Sequence, residues 1–135
     1  MTKGKVLVVE DDDDLRRGLE LRLNASGYDV VLAADALAAV SMARTELPDL
    51  VLLDIGLPGG DGLTVLQQYS DRAALMFTPV VVLTGRDPMT IEGAVRKYGV
   101  AGFLTKPADN DELLGVIERA LRGDPGPAPK KEGCR

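Results

Sequence analysis

A chain of 135 residues, 45% hydrophobic and 27% charged, has the length and apolar content of one soluble domain with a core of its own. The formal charge is -5, and because residues 124 to 135 carry three cations against two carboxylates, the rest of the chain bears -6, which disfavours direct nucleic-acid binding. There is no histidine, so serine–histidine and cysteine–histidine nucleophiles, histidine-ligated metals and a phosphohistidine carrier are excluded, and the single Cys134 has no partner for a structural disulfide.

The N-terminus lacks the apolar stretch of a signal peptide, and no apolar run approaches the roughly 20 residues of a membrane span, so a cytoplasmic protein without membrane association is expected. Lys5 to Val9 reads as a first strand and is followed by the acidic run Glu10 to Asp14. Leu15, Leu19, Leu21 and Leu23, interleaved with Arg16, Arg17, Glu20 and Arg22, predict an amphipathic helix ended by Gly27. Asp29 to Leu32 gives a second, weaker strand suited to a sheet edge, and the Ala-rich Ala36 to Glu46 a helix that stops before Pro48. Leu50 to Leu53 forms a third strand running into Asp54. A third helix is expected from after Gly62 to about Tyr69, while Asp71 to Phe77 fits neither pattern.

Val80 to Leu83 is a fourth strand, closing on Thr84. A fourth helix spans Thr90 to Tyr98, with Gly99 as its stop signal. Gly102 to Leu104 is the fifth strand and leads into Thr105 and Lys106. The last helix starts after Asp109 or Asn110, either a good N-cap, carries Leu113, Leu114, Ile117 and Leu121 on one face, and ends at Gly123. Residues 4 to 122 are thus read as the domain, and residues 123 to 135, with Pro125, Pro127 and Pro129 among Gly, Lys and Glu, as a linker or free tail.

Five alternating strand–helix units imply a parallel sheet, and three strands nearly continuous in Val and Leu imply burial on both faces. In such a sheet the binding crevice lies at the carboxyl ends of the strands. Those ends are Glu10 and Asp11, Asp54, Thr84, and Thr105 with Lys106. Carboxylates converging there repel one another, and a hard divalent cation relieves that repulsion; Mg²⁺, which takes one or two carboxylates and keeps sites for water and phosphate oxygens, suits Asp11, Asp54 and an outer-sphere Glu10. Asp54 supplies an in-line nucleophile, Lys106 a point charge and Thr84 a hydroxyl for phosphoryl oxygens. Asp12, Asp13 and Asp14 are better read as capping the following helix, as is Asp61 before its own.

These motifs resemble the response-regulator receiver domains, the CheY-like version of the flavodoxin-like fold. The resemblance rests on V-V-E-D-D after the first strand, P-D-L-V-L-L-D-I-G-L-P-G-G-D-G around Asp54, P-V-V-V-L-T-G closing on Thr84, and G-F-L-T-K-P around Lys106. It implies a three-layer α/β fold with a five-stranded parallel sheet of order 2-1-3-4-5 and helices on both faces. It further implies Asp54 as phospho-acceptor, Glu10 and Asp11 as the acidic pair, and Gly56 giving a backbone carbonyl to Mg²⁺, for which Mn²⁺ can substitute. Lys106 would bind the phosphate, Thr84 and Phe103 would form a switch, and the Lys106–Pro107 bond would be cis. Gly85, where Ala is frequent, would leave the phosphoryl site open, and Arg86 either reaches over the site or stays solvated.

The function this implies is a phospho-acceptor switch, not an enzyme in the ordinary sense. It would accept a phosphoryl group from a histidine kinase, a histidine phosphotransfer protein or a small phosphodonor, and lose it by slow autodephosphorylation. The surface of the fourth helix, fifth strand and last helix would then control a downstream protein target or output domain. Ala101 and Gly102 replace an acidic pair common in receivers that dimerise through that surface, so a monomer or weak dimer is expected. Three other readings compete. An interaction module of the same fold would not need every catalytic position retained; an aspartate-nucleophile phosphohydrolase wants D-x-D-x-T, and Leu15 or Arg16 stands at the threonine; a flavodoxin wants a hydroxyl- and Gly-rich loop after the first strand.

Overall fold

The computed structural model describes residues 2–54, 65, 67–69, 78–85 and 99–123. Its elements are β1 (Lys5–Val9), α1 (Asp13–Ala25), β2 (Asp29–Ala33), α2 (Ala36–Glu46), β3 (Leu50–Asp54), β4 (Val80–Thr84), β5 (Gly102–Thr105) and α3 (Asn110–Leu121). All the strand pairs are parallel and the order is β2-β1-β3-β4-β5. Val65 and Gln67 to Tyr69 are helical, as expected for the third helical stretch; the remainder of that stretch, the expected fourth helix, Asp61, Arg86 and the tail lie outside the described residues.

Successive side chains of a strand point to opposite faces, so a strand apolar at every position serves two cores at once. On one face Leu7, Val9, Val51, Leu53, Val80 and Val82 meet Ala39, Val40 and Ala43 of α2 together with Val65 and Tyr69. On the other, Val6, Val8, Leu50, Leu52, Val81 and Leu83 meet Leu19 and Leu23 of α1 and Leu113, Ile117 and Ala120 of α3. Burying each of the Val, Leu and Ile side chains among them contributes roughly 1.5–3 kcal/mol. β2 lies at one edge and is the least buried strand, as its weaker apolar pattern foretold.

Helix ends follow local chemistry. Asp12 caps α1 by accepting from the Leu15 amide, Asp35 does the same for α2 from Ala38, and Asp109 forms a capping box with Glu112 on α3. α2 stops before Pro48 with Leu47 in the left-handed region at φ 48°. Two details depart from the periodicity argument. Leu21 is 58% exposed, because it lies two residues from both Leu19 and Leu23, which occupy the buried face of a 3.6-residue helix. Strands β2 to β5 each run one residue past their expected ends, because Ala33, Asp54, Thr84 and Thr105 still find partners in the ladder.

Gly102 shows how closely α3 lies on the sheet. A Cβ there would stand 2.4 Å from Val116 Cγ1 and 3.3 Å from Val81 Cγ2, and the β-branched Val116 has little freedom to turn away. Gly102→Ala should therefore cost about 1–2 kcal/mol of stability in a denaturant titration. Adding Val116→Ala should make the pair less destabilised than the two single losses summed.

Candidate functional site

The register of the sheet sets which strand ends meet. Val9 pairs with Leu53 and Asp54 with Leu83, so Glu10 and Asp54 stand side by side just beyond the apolar part of the central strands. Leu83 pairs with Leu104 and Thr84 with Thr105, which brings the start of the Lys106 loop to the same edge. Glu10 and Asp54 are buried, at 1% and 6% exposure, and Asp11 is exposed; one carboxylate oxygen from each of the three lies within 4.8 Å of the others.

Lys106 reaches back over this group. Its Nζ donates to Asp54 Oδ2 at 3.2 Å and lies 3.0 Å from Glu10 Oε1. The second approach is close enough for an ion pair but lacks hydrogen-bond geometry, so this buried oxygen accepts no hydrogen bond among the described residues. Burial pushes the Glu10 carboxyl above its usual range and the Asp54 charge adds to this, against the opposing pull of Lys106 and the Asp12 amide. For Lys106, burial acts to lower the ammonium, but Glu10 and Asp54 together outweigh it and hold it above its ordinary value.

Among the described residues, three carboxylates face one ammonium, a set of hard oxygen ligands short of positive charge. It fits Mg²⁺. Glu10, Asp11 and Asp54, which the sequence singled out with Glu10 in the outer sphere, lie together and would hold the ion; the Gly56 carbonyl, the further ligand implied by the resemblance, lies outside the described residues. Thr84 ends β4 in register with Thr105, and its side chain also lies outside them. A Cβ on Gly85 would stand at ordinary contact distance, 3.8 Å, from the Lys106 side chain. Phe103 is half-buried and packs against the α2-side core, and the Lys106–Pro107 bond is cis.

One contributor was hidden in the sequence. Arg16, read there only as part of a polar helix face, donates through Nη1 to the Glu10 carbonyl at 2.9 Å and pairs through Nη2 with Asp13. With Glu10 N donating to Ala33 O and Asp12 N to Glu10 Oε2, it fixes the turn that presents the acidic pair. The six-residue step from Glu10 to Arg16 offers no signal until the turn and the helix are placed together.

A parallel sheet in this order, with a lysine set among carboxylates at its carboxyl edge, defines a CheY-like regulatory domain, and comparison with known proteins agrees. The family model for the response regulator receiver domain matches residues 6–118. The chain is 36% identical over 128 residues to the alkaline phosphatase synthesis transcriptional regulatory protein PhoP of Bacillus subtilis, covering 95% of this chain and 52% of that protein. It is 36% identical over 118 residues to the response regulator PleD of Caulobacter vibrioides, covering 87% and 26%. The solved structure of the chemotaxis response regulator CheY4 of Vibrio cholerae matches with a TM-score of 0.81 at 28% identity, covering 87% of this chain and 98% of that one. This chain belongs to the response regulator receiver domain family, a signalling regulator and not a classical enzyme. It spans about half the length of PhoP and about a quarter of PleD. Among the described residues no helix is long and apolar enough to cross a membrane.

The charge shortage has measurable consequences. Mg²⁺ should raise the Tm in proportion to the logarithm of its concentration above Kd, by about 2.7 kcal/mol of stability at 100 Kd. Glu10→Gln should raise the metal-free Tm by a few degrees and shrink the Mg²⁺ shift. Because the folded pKa of Glu10 is raised, its ionised form is disfavoured by folding; the stability linked to its proton is present at low pH and lost as pH rises through the folded value. The Tm advantage of Glu10→Gln should accordingly narrow on acidification, and an unchanged gap would refute the assignment.

Proposed function

We propose that this domain accepts a phosphoryl group on Asp54, in a Mg²⁺-dependent reaction, from a histidine kinase, a histidine phosphotransfer protein or a small phosphodonor. The observation that carries the reading is the placement of Asp54, a buried carboxylate bound by Lys106 and grouped with Glu10 and Asp11.

An Asp54 oxygen attacks the phosphorus in line. The new P–O bond forms as the bond to the donor nitrogen or oxygen breaks, and the electron pair leaves with the donor: a histidine nitrogen takes a proton from solvent, while acetyl phosphate releases acetate as the anion. Bound Mg²⁺ would neutralise charge on the phosphoryl oxygens. Lys106 exchanges its carboxylate partners for a phosphoryl oxygen, stabilising charge where it gathers. Thr84 donates its hydroxyl to another oxygen, and Phe103, half-buried and so free to repack, follows it inward. The added charge, about -1.5 to -2, thereby alters the surface around β5 and α3 that a downstream protein target or output domain reads. The reading places the domain in the cytoplasm, as a monomer or weak dimer.

Intact-mass spectrometry after incubation with acetyl phosphate should show a single phosphoryl adduct that requires Mg²⁺ and is absent from Asp54→Asn. An undiminished adduct on that variant would move the nucleophile elsewhere.

A further inference from the structure

Four residues join Thr105 at the end of β5 to Asn110 at the start of α3, and Lys106 is the first of them. The Ala108 carbonyl within this loop belongs neither to the sheet nor to the helix, so its donor must come from elsewhere. α1 provides it. Arg22 Nη2 donates to Ala108 O at 3.2 Å, and Nε of the same guanidinium donates to Asn110 Oδ1 at 3.1 Å. A planar guanidinium with donors in a fixed fork sets the spacing of its two acceptors as well as binding them. The helix behind it is well anchored, since the neighbouring Leu19 and Leu23 are buried in the core.

We infer that Arg22 is a positioning residue for the phosphoryl site, holding the loop backbone so that Lys106 presents its ammonium at one place. The inference rests on the function proposed above. It gives α1 a double task. Near the helix start Arg16 holds the Glu10 carbonyl, and in its third turn Arg22 holds the Lys106 loop, so one rigid element references both the carboxylate side and the cationic side of the crevice. Lys106 has to change partners during transfer, from Glu10 and Asp54 to a phosphoryl oxygen. With the loop clasped, that change is a rotation of one flexible side chain. Without the clasp, the loop adds its own freedom, and Nζ spreads over positions unsuited to the in-line geometry.

The test uses the whole chain as parent, Arg22→Met, Arg22→Lys, Asn110→Ala and the Arg22→Met/Asn110→Ala pair. Three quantities are measured for each: the rate of adduct formation with acetyl phosphate and Mg²⁺, the Mg²⁺ Kd by calorimetric titration, and the Tm. Arg22→Met keeps the stem and a good helix former but removes the donors. It should slow adduct formation about tenfold while the Mg²⁺ Kd, set by Glu10, Asp11 and Asp54, stays within about twofold. Arg22→Lys, able to donate to Ala108 O alone, should recover part of the rate. Asn110→Ala should lose less than Arg22→Met, and the pair should be no slower than Arg22→Met. A parent rate in Arg22→Met overturns the inference, as does a rate loss matched by an equal loss of Mg²⁺ affinity or left unrecovered by lysine. Absence of an adduct on the parent overturns the functional reading along with it.

Discussion

The ammonium of Lys106, 3.0 Å from Glu10 and 3.2 Å from Asp54, lies between two carboxylates that the sheet has already taken out of water. Neither acid can be buried as an ion on favourable terms without a cation nearby, and one lysine does not balance both together with Asp11. Among the described residues the crevice is thus short of positive charge, which suits a divalent cation. In the function proposed above the same lysine would receive a phosphoryl oxygen, so stability and chemistry would draw on one side chain.

That arrangement depends on how the sheet is built. Both faces are covered by apolar side chains from α1, α2 and α3, which leaves the carboxyl edge of the strands as the place where polar side chains can gather. Parallel pairing points every strand end to that edge, and the central position of β1 and β3 makes Glu10 and Asp54 neighbours. Around them the turns are held by chemistry that serves the fold and the site together. Asp12 caps α1 and orders the acidic turn, Arg16 binds the Glu10 carbonyl, and Asp109 caps α3 just beyond the Lys106 loop. α3 also sits close on β5, which is possible because position 102 has no side chain.

Much of this was legible in the residues. Nearly continuous runs of Val and Leu marked three of the five strands, since a strand buried on both faces has no room for polar side chains, and the second strand read as the weaker edge strand it is. The ends of α1, α2 and α3 followed from Asp, Gly and Pro at positions where the backbone needs them. Glu10, Asp11, Asp54 and Lys106 stood out as polar residues at the ends of apolar runs, and their convergence followed once the sheet was taken as parallel. Leu21 misled because an apolar residue in a helix counts only by its angle, and its angle faces water.

What the sequence by itself determined was the five strands, the helices α1, α2 and α3 and the parallel arrangement, because each is encoded in local periodicity or in residue type. What only the tertiary structure decided was contact between distant positions: the clasp of Arg22 on Ala108 and Asn110, the hold of Arg16 on Glu10, the missing Cβ of Gly102 against Val116, and the reach of Lys106 to the buried Glu10. Such contacts are set by where whole helices come to rest on the sheet, and no spacing along the chain records that resting place.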